Sequence, residues 1–218
     1  MPTDHPTTLS HPLTYLALGD SYTIGHGVDE AERWPVQLAD QLRGLGIPLA
    51  DPLIIARTGW TTAELQQGIT QRNRLGPFDL VTLLIGVNNQ YRGRSAAEYR
   101  EEFGALLDQS IAFAGGDPQR VIVLSIPDWG VTPFAAGRDR AEIAAEIDQF
   151  NAINRAAAAD VGARYVDVTP ISRRAAEDAT LLATDQLHPS RAMYAVWVAL
   201  VLPEAAAALV GRTIDGGR

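Results

Sequence analysis

The sequence predicts a doubly wound α/β fold, three layers α/β/α, around a five-stranded parallel sheet in the flavodoxin-like order 2-1-3-4-5. Three observations carry this. Short apolar, β-branched runs alternate with segments of helical period along the chain. The run at 80–85 is almost wholly apolar, as expected of a strand covered on both faces. The strand–helix pair recurs five times without an internal repeat or linker, which implies right-handed parallel crossovers.

The elements follow in order. Residues 13–18 read as the first strand. A helix at 34–45 places Trp34, Leu38, Leu42 and Leu45 on one face. Residues 53–56 are the second strand. Thr61 and Glu64 make a capping box that opens a helix to Ile69. The third strand is 80–85. Ser95 and Glu98 make a further capping box, before a helix carrying Tyr99, Phe103, Leu106 and Leu107. The fourth strand is 121–126, and a long helix over 142–159 has Ile143, Ile147, Phe150 and Ile153 as its stripe. Its alanines at 156–159 are helix filling. The fifth strand is 164–168. A last helical region starts after Pro189 and is expected to kink or restart at Pro203. Trp34 and Trp197 sit on helical stripes and are read as core. A single domain over 13–212 is expected between a flexible N-terminal tail, 1–12, and a C-terminal tail, 213–218.

Composition narrows the chemistry. Of 218 residues, 46% are hydrophobic and 20% charged, the balance of a globular domain. The formal charge of −8 repels phosphate backbones, so nucleic acid is not an expected partner. The absence of cysteine removes thiol nucleophiles, iron–sulfur clusters, thiolate zinc sites and disulfides. All 18 basic residues are arginine, which removes Schiff bases, Ser–Lys dyads and the lysine of phosphate-binding loops. No cofactor or metal is expected. The polar start lacks an apolar leader segment, so a cytoplasmic location is expected. No membrane span is expected either, because the longest apolar run, 193–202, stops at Pro203. Nothing in the sequence sets the oligomeric state.

In doubly wound sheets, ligands sit at the carboxyl ends of the strands. The residues just after each strand are Gly19-Asp20-Ser21, Arg57-Thr58-Gly59-Trp60, Gly86-Val87-Asn88-Asn89 and Pro127-Asp128-Trp129, with a longer loop bringing Asp185-Gln186-Leu187-His188-Pro189. Of four histidines, His5 and His11 lie in the Pro-rich start, and His26 reads as a surface residue that can line the site. His188 stands three residues after Asp185, a spacing that on helix-like backbone lets the carboxylate reach Nδ1 and leaves Nε2 as a base. Taken alone, the pair reads equally as a loop brace. Ser21 leaves a buried strand between glycines and needs a neighbouring imidazole to become nucleophilic. The Ser21 N–H, the Gly59 N–H and the Asn88 amide are candidate oxyanion donors. Alone, the Ser21 loop is also compatible with a phosphate- or flavin-binding module.

These blocks resemble the SGNH/GDSL family of esterases and lipases. Gly19-Asp20-Ser21 with Gly25 is similar to its first block and Gly59 to the glycine of its second. Gly86-Val87-Asn88-Asn89 is similar to its third, and Asp185-Gln186-Leu187-His188-Pro189 to its last, Asp-x-x-His-Pro. The resemblance implies a serine ester hydrolase with Ser21 as nucleophile, His188 as base, Asp185 as orienter, and Ser21, Gly59 and Asn88 as oxyanion donors. Two positions depart from the family pattern: Tyr22 stands where Leu is usual, and Asn89 where Asp is usual. Asp20, Trp60, Tyr91 and Trp129 are expected near substrate, and Arg92 and Arg94 extend the Asn88 loop toward a polar or anionic leaving group. The expected partner is a small-molecule ester with a short, acetyl-like acyl group, carried in one reading by a sugar. A lysophospholipase or thioesterase is the alternative within the family.

Overall fold

Five parallel strands pair in the order β2-β1-β3-β4-β5 in the computed structural model, which describes residues 11–72 and 75–210. They are β1 (Tyr15–Gly19), β2 (Leu53–Ala56), β3 (Leu80–Leu84), β4 (Val121–Leu124) and β5 (Arg164–Val166). The three inner strands are buried throughout, whereas β2 and β5, at the edges, are partly exposed. This is why the inner strands read as continuous apolar runs. The fold class expected from the sequence is the one found. The tails expected at 1–12 and 213–218, with His5, lie outside the described residues apart from His11 and Pro12.

The helices are α1 (Ser21–Ile24), α2 (Trp34–Gly44), α3 (Thr62–Thr70), α4 (Val87–Tyr91), α5 (Ala96–Phe113), α6 (Arg140–Val161), α7 (Thr169–Ser172) and α8 (Arg191–Val210). One group pairs α2 with α8, and the other joins α3, α5 and α6. Trp34 and Trp197 are wholly buried, as their stripes predict. The Thr61–Glu64 capping box is reciprocal. The one expected at Ser95 is half made: the Ser95 hydroxyl accepts from the Glu98 N–H, but the Glu98 carboxylate turns to Arg94 at 3.3 Å. The neighbouring guanidinium outcompetes the cap N–H for that carboxylate.

Pro203 neither ends nor restarts the last helix, because α8 runs unbroken through it. The loss of one N–H is tolerated here, in a helix whose Trp197, Val198, Val201 and Ala205 are all buried. By length and composition α8 is thus apolar enough to cross a membrane, a longer stretch than 193–202 suggests. In this fold one face of it packs on α2 and the sheet.

Register positions the site. Gly19 pairs with Ala56 of β2 on one side and Leu84 of β3 on the other. The carboxyl ends of these three strands are therefore level, and the loops that follow them leave along one rim.

Candidate active site

The turn after β1 is tight for a steric reason. A Cβ on Gly19 would collide with the Thr23 hydroxyl and stand 2.5 Å from the Leu84 carbonyl, so only glycine fits. Asp20 then caps α1, its Oδ1 accepting from the Tyr22 N–H at 3.0 Å. Ser21 opens that helix, and its N–H has no acceptor among the described residues. Asp20 itself is fully buried and does not line the cavity, contrary to its expected place near substrate. It holds the loop from beneath. Burial pushes its carboxyl up to about 7, against the pull of the Tyr22 N–H.

His188 sits 8% exposed, with Nδ1 2.6 Å from Asp185 Oδ2. The expected contact is present, but its backbone is not helix-like. Gln186 is left-handed, at φ 57°, and Asp185 Oδ1 accepts from the N–H groups of both Leu187 and His188 at 3.0 Å. The Ala183 N–H closes the turn onto the His188 carbonyl at 2.8 Å. One carboxylate thus folds its own turn with one oxygen and orients the imidazole with the other. Burial lowers the His188 imidazole below its ordinary pKa, and the Asp185 carboxylate only partly offsets this. Burial works to raise the Asp185 carboxyl, yet the His188 imidazole and the two N–H groups outweigh it and hold it below the usual range.

Gly59 adopts φ 86°, a left-handed turn that a side chain would strain. Its carbonyl accepts from Arg92 Nη2 at 2.6 Å, and its N–H has no acceptor among the described residues. Arg92 also meets Glu64 at 3.1 Å, so this arginine braces the turn rather than standing free for a leaving group. Arg94 is likewise engaged by Glu98. Asn88 donates one amide hydrogen to the Trp60 carbonyl at 2.9 Å, which identifies its nitrogen and leaves a second hydrogen available. Asn89 is buried away from the cavity. Its Oδ1 accepts from the Thr62 N–H at 3.0 Å, and its Nδ2 donates to the Thr62 hydroxyl at 2.6 Å.

A cavity of about 200 Å³ unites Ser21, Gly59, Asn88 and His188. Its walls are apolar: Tyr22, Val87, Tyr91, Trp129, Phe134 and Leu187. Tyr91, Trp129 and Phe134 form an aromatic cluster with ring centroids 5.5–6.4 Å apart. Trp129 is fixed by its indole N–H, which donates to Gln90 Oε1 at 2.8 Å, while Gln90 Nε2 donates to Glu146 at 2.6 Å. Arg138 lies over Tyr91 and Trp129, 4.9 and 5.3 Å from their ring centroids. Of the expected aromatic residues, Tyr91 and Trp129 reach the cavity and Trp60 does not. The Trp60 ring rests on Gly68 of α3, where no larger residue would fit, and only its carbonyl serves the site. Phe134 was not legible in the sequence, because it lies in a short turn with no periodicity. Tyr22 lies with its ring 5.7 Å from that of His188 and 6.2 Å from that of Trp197, filling the space under the imidazole.

This is the equipment of a serine ester hydrolase built on a doubly wound sheet. Residues 17–196 match the model of the GDSL-like lipase/acylhydrolase family, and the chain belongs to that family. The membership sets aside the flavin- or phosphate-module reading of the Ser21 loop. No curated protein matches the chain in sequence. Among solved structures, it is similar to Axe2, an acetylxylan esterase from Geobacillus stearothermophilus, with 16% identity, TM-score 0.70, and 90% of this chain and 95% of that one covered. It is also similar to a lipase/acylhydrolase from Enterococcus faecalis, at 19% identity and TM-score 0.69, covering 89% and 96%. TesA follows at 20% identity and TM-score 0.65, covering 90% and 99%. At these identities the likeness is one of fold.

Proposed function

We propose that the chain is a carboxylesterase for short, acetyl-like acyl esters, acting through an acyl-enzyme on Ser21. In this reading the Ser21 oxygen attacks the ester carbonyl as Nε2 of His188 takes its proton, and Asp185 holds the imidazole in the needed tautomer. The negative charge that develops on the carbonyl oxygen is met by the Ser21 and Gly59 N–H groups and the free amide hydrogen of Asn88. Collapse breaks the bond to the alcohol, which leaves with the proton from His188. Water then repeats both steps on the acyl-enzyme, releasing the acid and restoring Ser21.

The observation that carries the acyl preference is the size of the cavity. Sites that bury drug-sized ligands have about 300–1,000 Å³, and this open cleft has about 200 Å³ beside Tyr91, Trp129 and Phe134. A short acyl chain fills such a space, whereas a long one has to run out along its open side. The alcohol would extend outward along Tyr91 and Trp129, whose faces suit a sugar ring. A series of p-nitrophenyl esters tests this: turnover should peak at two to four acyl carbons. A maximum at eight or more would favour the lysophospholipase or thioesterase alternative.

A further inference from the structure

His26 has no part in the reaction just described, yet it stands against its base. Its ring centroid is 4.6 Å from that of His188, and its Nε2 lies 3.9 Å from Asp185 Oδ2. One nitrogen from each imidazole and one Asp185 oxygen all lie within 4.8 Å of one another, at an edge where His26 and Asp185 are exposed. We propose that His26, Asp185 and His188 form a site for a divalent transition-metal ion of the zinc class, and that filling it switches the hydrolase off.

The donor set selects the cation. Two imidazoles and one carboxylate suit zinc, copper or nickel, whereas magnesium and calcium require mainly oxygen ligands. Zinc sits about 2.0–2.2 Å from such ligands, so the 3.9 Å between His26 Nε2 and Asp185 Oδ2 is nearly the span that one ion bridges. The surroundings already orient the donors. His26 Nδ1 is 3.1 Å from the Thr58 hydroxyl, and a hydrogen on Nδ1 donated there leaves the Nε2 lone pair for a metal. Asp185 Oδ1 is occupied by two N–H groups, which turns Oδ2 toward both imidazoles. Water can complete the coordination from the exposed side.

Inhibition follows from proton bookkeeping and rests on the proposed role of His188 as base. If the ion takes Nε2 of His188, the lone pair that would accept the Ser21 proton is occupied. If it takes Nδ1, the proton there is displaced and rebinds at Nε2, which again can accept nothing. The 2.6 Å hydrogen bond from His188 Nδ1 to Asp185 also opens in the second case. Through either nitrogen the ion removes the base, without redox change and without any covalent bond in substrate being made or broken.

The decisive measurement is titration calorimetry of the full chain with zinc chloride, run in parallel on wild type, Ser21→Ala, His26→Ala and Thr58→Val. Wild type and Ser21→Ala should bind one ion equally, because Ser21 supplies no ligand. His26→Ala should weaken binding by at least about tenfold, and Thr58→Val by about tenfold, as loss of an outer partner does. Zinc should inhibit ester hydrolysis at the same midpoint as it binds, with relief by chelator and no effect from magnesium, wild type, His26→Ala and Thr58→Val each being read against its own metal-free rate. Unchanged zinc affinity in His26→Ala would overturn the proposal. So would binding that leaves hydrolysis untouched. The binding arm needs no esterase activity, so failure of the function reading would be seen separately.

Discussion

Asn89 and Glu102 share one partner across the gap between α4 and α5: the Thr62 hydroxyl bonds to both, and Asn89 Nδ2 lies 3.4 Å from Glu102 Oε2. This accounts for the amide at a position where the family pattern has a carboxylate. One side-chain atom must accept from the Thr62 N–H, which either residue can do. The other must donate toward Thr62 and Glu102, which only the amide can do. The carboxylate of this cluster stands on α5, at Glu102.

Asn89→Asp should therefore destabilise the fold by about 1–3 kcal/mol at neutral pH, the cost of an unsatisfied buried group, with added repulsion from Glu102. Thermal unfolding should show it as a shift of roughly 2–4 °C per kcal/mol. Adding Glu102→Gln restores a donor opposite the new carboxylate and should recover most of the loss. An unaltered melting temperature in the single variant, or no recovery in the double, would contradict this account.

Asn88 carries a different expectation because only one of its amide hydrogens is committed to the Trp60 carbonyl. Asn88→Ala should lower kcat by roughly 10²–10³ if the second hydrogen meets the developing oxyanion. KM should move little, since the ground-state carbonyl gains less from that donor. A normal kcat with reduced thermal stability would make Asn88 a brace for the 57–60 turn and nothing more.

What could be read from the chain before its fold was known divides along a physical line. The strands and main helices announce themselves through local periodicity, and the Ser21, Asn88 and His188 loops through their place after each strand. Contacts between turns have no period to betray them. His26 meets Asp185 only because two loops 159 positions apart converge, and it reads in isolation as a surface residue. Phe134 and Trp60 were equally opaque: the first joins the aromatic wall from an irregular turn, while the second is drawn off by the space above Gly68. Pro203 shows tertiary packing overriding a local breaker.

The pH dependence of catalysis should follow His188. Burial disfavours the imidazolium, so the neutral, proton-accepting form persists below the ordinary imidazole range. The acid limb of kcat/KM should accordingly fall below pH 6.5, the unperturbed value. Asp185→Asn removes the carboxylate that favours the imidazolium, moving that limb lower still, while kcat drops by roughly 10⁴ through loss of the tautomer. A limb above 6.5 in the wild type, or one that rises in the variant, would mean that His188 does not govern the rate.

Asp20 should shape stability rather than turnover. Its carboxyl is wholly buried, and its Oδ2 has no partner among the described residues. Its folded pKa stands at about 7 against an ordinary 3.8, so the native state holds a proton that the unfolded chain has released between those values. The contribution of Asp20 to stability should then fall as pH rises from about 4 toward 7 and level off above. Three pH units correspond to something on the order of 4 kcal/mol. Asp20→Asn keeps an acceptor for the Tyr22 N–H and cannot ionise. In urea unfolding, its stability relative to wild type should improve steadily across that interval. A difference that stays flat from pH 4 to 8 would show that the Asp20 carboxylate is accommodated in the fold at no cost.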